Sequence, residues 1–106
     1  MKEAIFNYLK NSPKPVKRPE LLFYLRGLGF ECSDREMRAT IEEMVVHSGF
    51  LIGSSERGYA TIKTKEEMDA AMKYLNAKAE AIAVRKNCIL HNWREQYKEE
   101  YQPLLF

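Results

Sequence analysis

The chain has few cysteines, few glycines and prolines, almost no charge imbalance and no long apolar run, and each shortage removes a class of protein. Cys32 and Cys88 are its two cysteines. That is too few for a disulfide framework, and they lie too far apart for a structural zinc site, which needs about four ligands at close spacing. They read as reduced structural thiols. No apolar run approaches the roughly 18 to 20 residues needed to span a bilayer, and Met1-Lys2-Glu3 lacks the apolar core of a signal peptide. The expectation is a cytoplasmic protein without membrane attachment. With 17 Lys+Arg against 15 Asp+Glu the net charge is +2, so unspecific phosphate binding has to be weak unless charge is segregated. Met1 to Lys63 holds ten basic and eight acidic residues and Thr64 to Phe106 seven of each, so the small excess sits in the first part.

Catalytic patterns are missing too. There is no glycine-rich phosphate loop, no Ser-His-Asp order and no carboxylate pair with a partner. His47 and His91 are single and lack carboxylate or thiol companions at metal-ligand spacing. The sequence therefore predicts a non-enzymatic protein with no metal and no cofactor.

What is present is a run of strong helix signals. Ala4, Ile5, Tyr8 and Leu9 recur at helical spacing up to Asn11-Ser12-Pro13. The segment Asn11 to Arg18 reads as a basic loop, and Pro19 is suited to open a second helix through Leu21, Leu22, Leu25 and Leu28, closed by Gly27 and Gly29. Ser33-Asp34-Arg35-Glu36 has the form of a capping box for a third helix, whose inward face reads Met37, Ile41, Met44, Val45 before Gly49. Two β runs, Phe50 to Ile52 and Tyr59 to Ile62, flank the turn-forming stretch Gly53 to Gly58 and predict a hairpin. Thr64-Lys65-Glu66-Glu67 is a second capping box, and no Gly or Pro follows until Pro103, so one helix can run from about Lys65 to Tyr97 or beyond.

This order predicts a mainly α chain with a small β-hairpin: a winged helix-turn-helix over residues 1–63, a long helix over 64–101 and an apolar tail over 102–106. The chain resembles a family of small prophage-encoded winged-helix proteins, some placed near phage replication genes. The resemblance rests on Ser33-Asp34-Arg35-Glu36-Met37-Arg38, the hairpin with Gly58-Tyr59, Thr64-Lys65-Glu66-Glu67 and the long amphipathic C-terminal helix. It implies action on DNA in replication or its control. Glu42 and Glu43 stand where the family often has further basic residues.

In such a fold the third helix enters the major groove of double-stranded DNA, where an arginine can pair with guanine through two hydrogen bonds. Arg35 and Arg38 lie off the Met37 face, with Ser33 and Thr40 as smaller contacts. Lys14, Lys17 and Arg18 precede the second helix, where phosphates are commonly touched, and Arg57 sits at the hairpin tip. An ordinary solvated charged face is the competing reading, made concrete by Asp34 and Glu36 on the same turns. A second function class stays open beside DNA binding: an adaptor or inhibitor that keeps the scaffold but grips a host replication protein.

The stripe Met68, Met72, Leu75, Ala79, Ile82, Lys86, Ile89, Trp93 alternates spacings of four and three, a coiled-coil seam interrupted once by lysine. It predicts a homodimer interface centred on Leu75, Ile82, Ile89 and Trp93. Trp93, Tyr97 and Tyr101 form an aromatic stripe suited to packing. The final Gln102-Pro103-Leu104-Leu105-Phe106 resembles the short peptide by which bacterial replication and repair proteins dock on the sliding clamp. Gln102 would bond at the groove rim while Leu104, Leu105 and Phe106 supply apolar contact; packing of these residues against the chain itself is the alternative.

Overall fold

The computed structural model describes residues 1–97. The chain is mainly helical: α1 (Lys2–Asn11), α2 (Arg18–Gly27), α3 (Asp34–Val46), a hairpin of β1 (Ile52–Ser55) and β2 (Gly58–Thr61), and the long α4 (Lys65–Tyr97). Two compact units divide it, Met1–Ala71 and Met72–Phe106, with the boundary inside α4.

In the first unit each helix is bounded by local chemistry. The last turn of α1 closes where the Ser12 hydroxyl donates to the Tyr8 carbonyl at 2.6 Å and its N–H donates to Leu9 at 3.2 Å. Pro13 then disfavours helical backbone at Ser12. Pro19 lies in the first turn of α2, where its missing N–H costs nothing. The helix ends in a double closure: Phe30 N–H donates to Leu25 and Gly29 N–H to Arg26, with Gly29 at φ 97°. The expected capping box of α3 is present, with Glu36 N–H donating to Ser33 Oγ at 3.1 Å and Ser33 N–H to Glu36 Oε1 at 3.3 Å.

Ile5 and Leu9 from α1, Leu21 and Leu25 from α2, and Met37, Ile41 and Met44 from α3 form one core together with Val16, Cys32 and Ile52. Each such side chain contributes roughly 1.5–3 kcal/mol when fully buried. The i, i+4, i+7 part of the α3 face is therefore inward as expected, but Val45 is not. It is 41% exposed, because the next position round the helix has already left the core stripe.

The hairpin is tighter than the apolar runs suggest: its first strand lies later in sequence and its second begins one residue earlier. Its strands pair Ile52 with Thr61 and Ser55 with Gly58, leaving only Glu56 and Arg57 as the loop. Phe50 is not a strand residue because its N–H closes the end of α3 on the Met44 carbonyl at 3.0 Å. Its ring instead packs at 5.1 Å from Phe6. A third extended residue joins the hairpin: Val16 and Tyr59 exchange both backbone hydrogen bonds at 2.8 Å, tying the loop before α2 to β2. Gly58 makes this approach feasible. A Cβ there would lie 2.2 Å from the Val16 carbonyl oxygen, and φ is 122°, a region that side chains rarely adopt.

The second capping box forms at the start of α4, where Glu67 N–H donates to Thr64 Oγ1 at 3.2 Å and Glu67 Oε1 accepts from Lys63 and Thr64 N–H at 3.0 Å. No residue of α4 from Lys65 to Tyr97 is buried. Near its end the Trp93 and Tyr97 rings stack with centroids 4.2 Å apart.

Candidate nucleic-acid interface

The Val16–Tyr59 bridge brings β2 beside the start of α2, and the core places the N-terminus of α3 next to both. Three charged groups meet at this junction. Arg38 Nε lies 2.9 Å from Asp34 Oδ2, one helical turn away, and Arg18 Nη1 reaches the same oxygen at 3.5 Å from the first residue of α2. All three side chains are roughly half exposed. Tyr59 on β2 is half-buried, and burial raises its phenol pKa, with the Arg18 and Arg38 charges pulling the other way and Asp34 adding to the rise. Arg18, Asp34 and Arg38 thus form one charged cluster across α2 and α3, with Tyr59 of β2 within its electrostatic reach.

Other expected contact residues occupy distinct positions around it. Arg35 and Lys17 are exposed, and neither has an ion pair among the described residues. Arg57 is exposed in the two-residue hairpin loop. Lys14 lines a separate cleft of about 320 Å³ between α1 and α2, shared with Tyr8, Asn11, Ser12, Glu20 and Tyr24. There the Tyr8 hydroxyl donates to Glu20 Oε2 at 2.7 Å, a bond that raises the Tyr8 pKa. Ser33 and Thr40 are already engaged. The Ser33 hydroxyl both accepts and donates within the cap, and the Thr40 hydroxyl donates to the Glu36 carbonyl at 2.9 Å. Thr40 therefore has its methyl group to offer rather than a donor.

Asp34 and Tyr59 did not follow from reading basic residues alone. Asp34 and Arg38 stand at i and i+4, a spacing that announces a helical ion pair. Tyr59 carried no such signal, since its place depends on the long-range bridge to Val16.

Gln102, Leu104, Leu105 and Phe106 lie outside the described residues, as does Tyr101. Among the described residues no group of three or more His, Cys, Asp or Glu side chains is placed to hold a metal ion, and no helix is long and apolar enough to cross a membrane. Cys32 is buried in the core and Cys88 is exposed on α4. No family model, curated protein or solved structure matches this chain.

Proposed function

We propose that residues 1–63 form a winged helix-turn-helix that binds duplex DNA, in keeping with the resemblance to small prophage-encoded winged-helix proteins. One observation carries the reading: the starts of α2 and α3 meet in one charged junction, strand β2 is tied to the segment before α2, and Lys17 and Arg35 have no ion pair among the described residues. Helix-turn-helix proteins read DNA with these parts. In this arrangement α3 enters the major groove and Arg35 addresses base edges. Lys17 and the N-terminus of α2 sit against phosphate, and Arg57 at the hairpin tip follows the neighbouring backbone or minor groove.

A second reading is favoured by Asp34, whose carboxylate already engages two of the arginines, and by Glu42 and Glu43 exposed along the same helix. On this reading the scaffold is an adaptor for a replication protein, with the chain end as a sliding-clamp peptide. Selection of bound duplexes from fragmented genomic DNA at about 50 mM salt separates the two. DNA binding requires enrichment of a sequence by the wild type and relaxed preference for Arg35→Ala, at about 1–3 kcal/mol for a good arginine–guanine pair. Failure to retain any duplex, with nuclease-resistant capture of a bacterial protein that is lost on truncation after Tyr101, selects the adaptor.

A further inference from the structure

We propose that α4 pairs with α4 of a second copy of this chain, the two helices running antiparallel. The proposal is independent of whether the first unit binds DNA. Leu75, Ile82, Ile89 and Trp93 are 49%, 62%, 62% and 42% exposed, and none of the 33 residues of α4 is buried. These residues are not scattered. With Met72, Ala79 and Lys86 they alternate spacings of three and four from Met72 to Trp93, an average period of 3.5. That period keeps a straight apolar seam against another helix, and against nothing else as well, because the slight mismatch with 3.6 residues per turn is absorbed by two helices coiling around each other.

The size of the seam fits a second helix of the same kind. Met72 to Tyr97 spans roughly 39 Å at 1.5 Å per residue, and a stripe about a third of the way round a helix some 10–12 Å across presents roughly 400–500 Å². Two copies together bury up to about 1,000 Å², the lower bound for a specific interface. Every copy carries the complementary seam, so no further protein is needed to cover it.

Charge selects the direction. A parallel, in-register pair sets Lys86 against its own counterpart inside the seam, a like-charge contact in a partly desolvated layer. An antiparallel pair removes that contact and sets Lys86 beside an apolar residue, along which its stem can lie while the ammonium reaches water.

Sedimentation of the full chain at about 20 μM, a concentration at which micromolar association is well populated, should give a mass near twice 12.4 kDa. Ile82→Asp should return it to a monomer while circular dichroism retains the helical signal, since Ile82 is exposed and supports no core. Spin labels on Glu95→Cys in a Cys88→Ser background should lie roughly 30–45 Å apart in the dimer, against about 20 Å or less for parallel helices. A wild-type monomer, a dimer indifferent to Ile82→Asp, or a short label distance would each overturn the proposal.

Discussion

The Arg38 guanidinium stands 2.9 Å from the Asp34 carboxylate, and the same carboxylate oxygen faces Arg18 at 3.5 Å. One carboxylate at the first position of α3 is thereby shared by two arginines, which on the proposed DNA-binding reading would address phosphate or base edges. The pairs are half exposed, so each is worth at most about 1 kcal/mol to folding. Their larger consequence is for binding, because any anion that recruits Arg18 or Arg38 must displace Asp34.

Asp34→Asn should accordingly tighten binding to duplex DNA by several fold and steepen its salt dependence by about one contact. The cost to stability should be small, roughly 0.3–1 kcal/mol, since the substitution also removes a negative charge from the favourable end of the α3 dipole. Fluorescence anisotropy of a labelled duplex over a salt series measures both effects. Weaker binding by Asp34→Asn would mean that Asp34 orients the arginines instead of competing for them.

Gly58→Ala should destabilise the first unit by roughly 2–5 kcal/mol, combining a strained φ with an overlap against backbone that cannot yield. The Cβ would meet the Val16 carbonyl oxygen at 2.2 Å, so the Val16–Tyr59 bridge has to open. Gly27→Ala is the control. Its Cβ meets nothing within 4 Å, and the position is the last of α2, so the substitution should be neutral or slightly stabilising. Thermal unfolding followed by circular dichroism compares the two, and similar midpoints would refute the close-approach account.

Gly58 also marks the limit of what the sequence made legible. Its neighbourhood reads as a turn, and a turn is there, but the glycine is required by a contact with Val16 some forty residues away. Local signals were reliable for the same physical reason. Both capping boxes, the Met37-Ile41-Met44 stripe and the span of α4 are set within one or two turns of chain, and all of these are present. The strand limits were not legible, because Phe50 is diverted to close α3 and pack on Phe6. At the candidate interface, Arg35 could be placed from helix phase alone, and Lys17 from its position in the loop just before Pro19. The pairing of Arg18 and Arg38 on one carboxylate depends on how α2 meets α3, which no local pattern encodes.

Glu43 gives a pH dependence. Its carboxylate accepts from Lys2 Nζ at 2.8 Å, tying α3 to the start of α1, and this bond and charge hold its pKa below 4.5. A depressed carboxyl contributes stability that is present above its unfolded value and lost as pH falls through the folded one. The thermal midpoint of the wild type should therefore exceed that of Glu43→Gln at neutral pH and converge with it below the ordinary glutamate value of 4.5. Both side chains are partly exposed, so salt should narrow the gap as well. Midpoints that run parallel through the acid range would remove this contact from the list of stabilising ones.

The chain end supplies the last prediction. Gln102, Leu105 and Phe106 resemble a clamp-binding peptide in their spacing, and docking on a clamp is the proposal to be tested. Burying a leucine and a phenylalanine contributes roughly 1.5–3 kcal/mol each before the ordering of the peptide is set against it, so affinity near the micromolar range is expected for the isolated segment. Two tails on one dimer would bind a clamp ring more tightly than one, provided both reach their grooves together. Titration of a peptide covering Tyr97 to Phe106 against a bacterial sliding clamp, beside the same peptide with Leu105→Ala and Phe106→Ala, measures the contribution directly. Binding by the first and not the second supports docking; equal binding by both, or none by either, assigns these apolar residues to contacts within the protein.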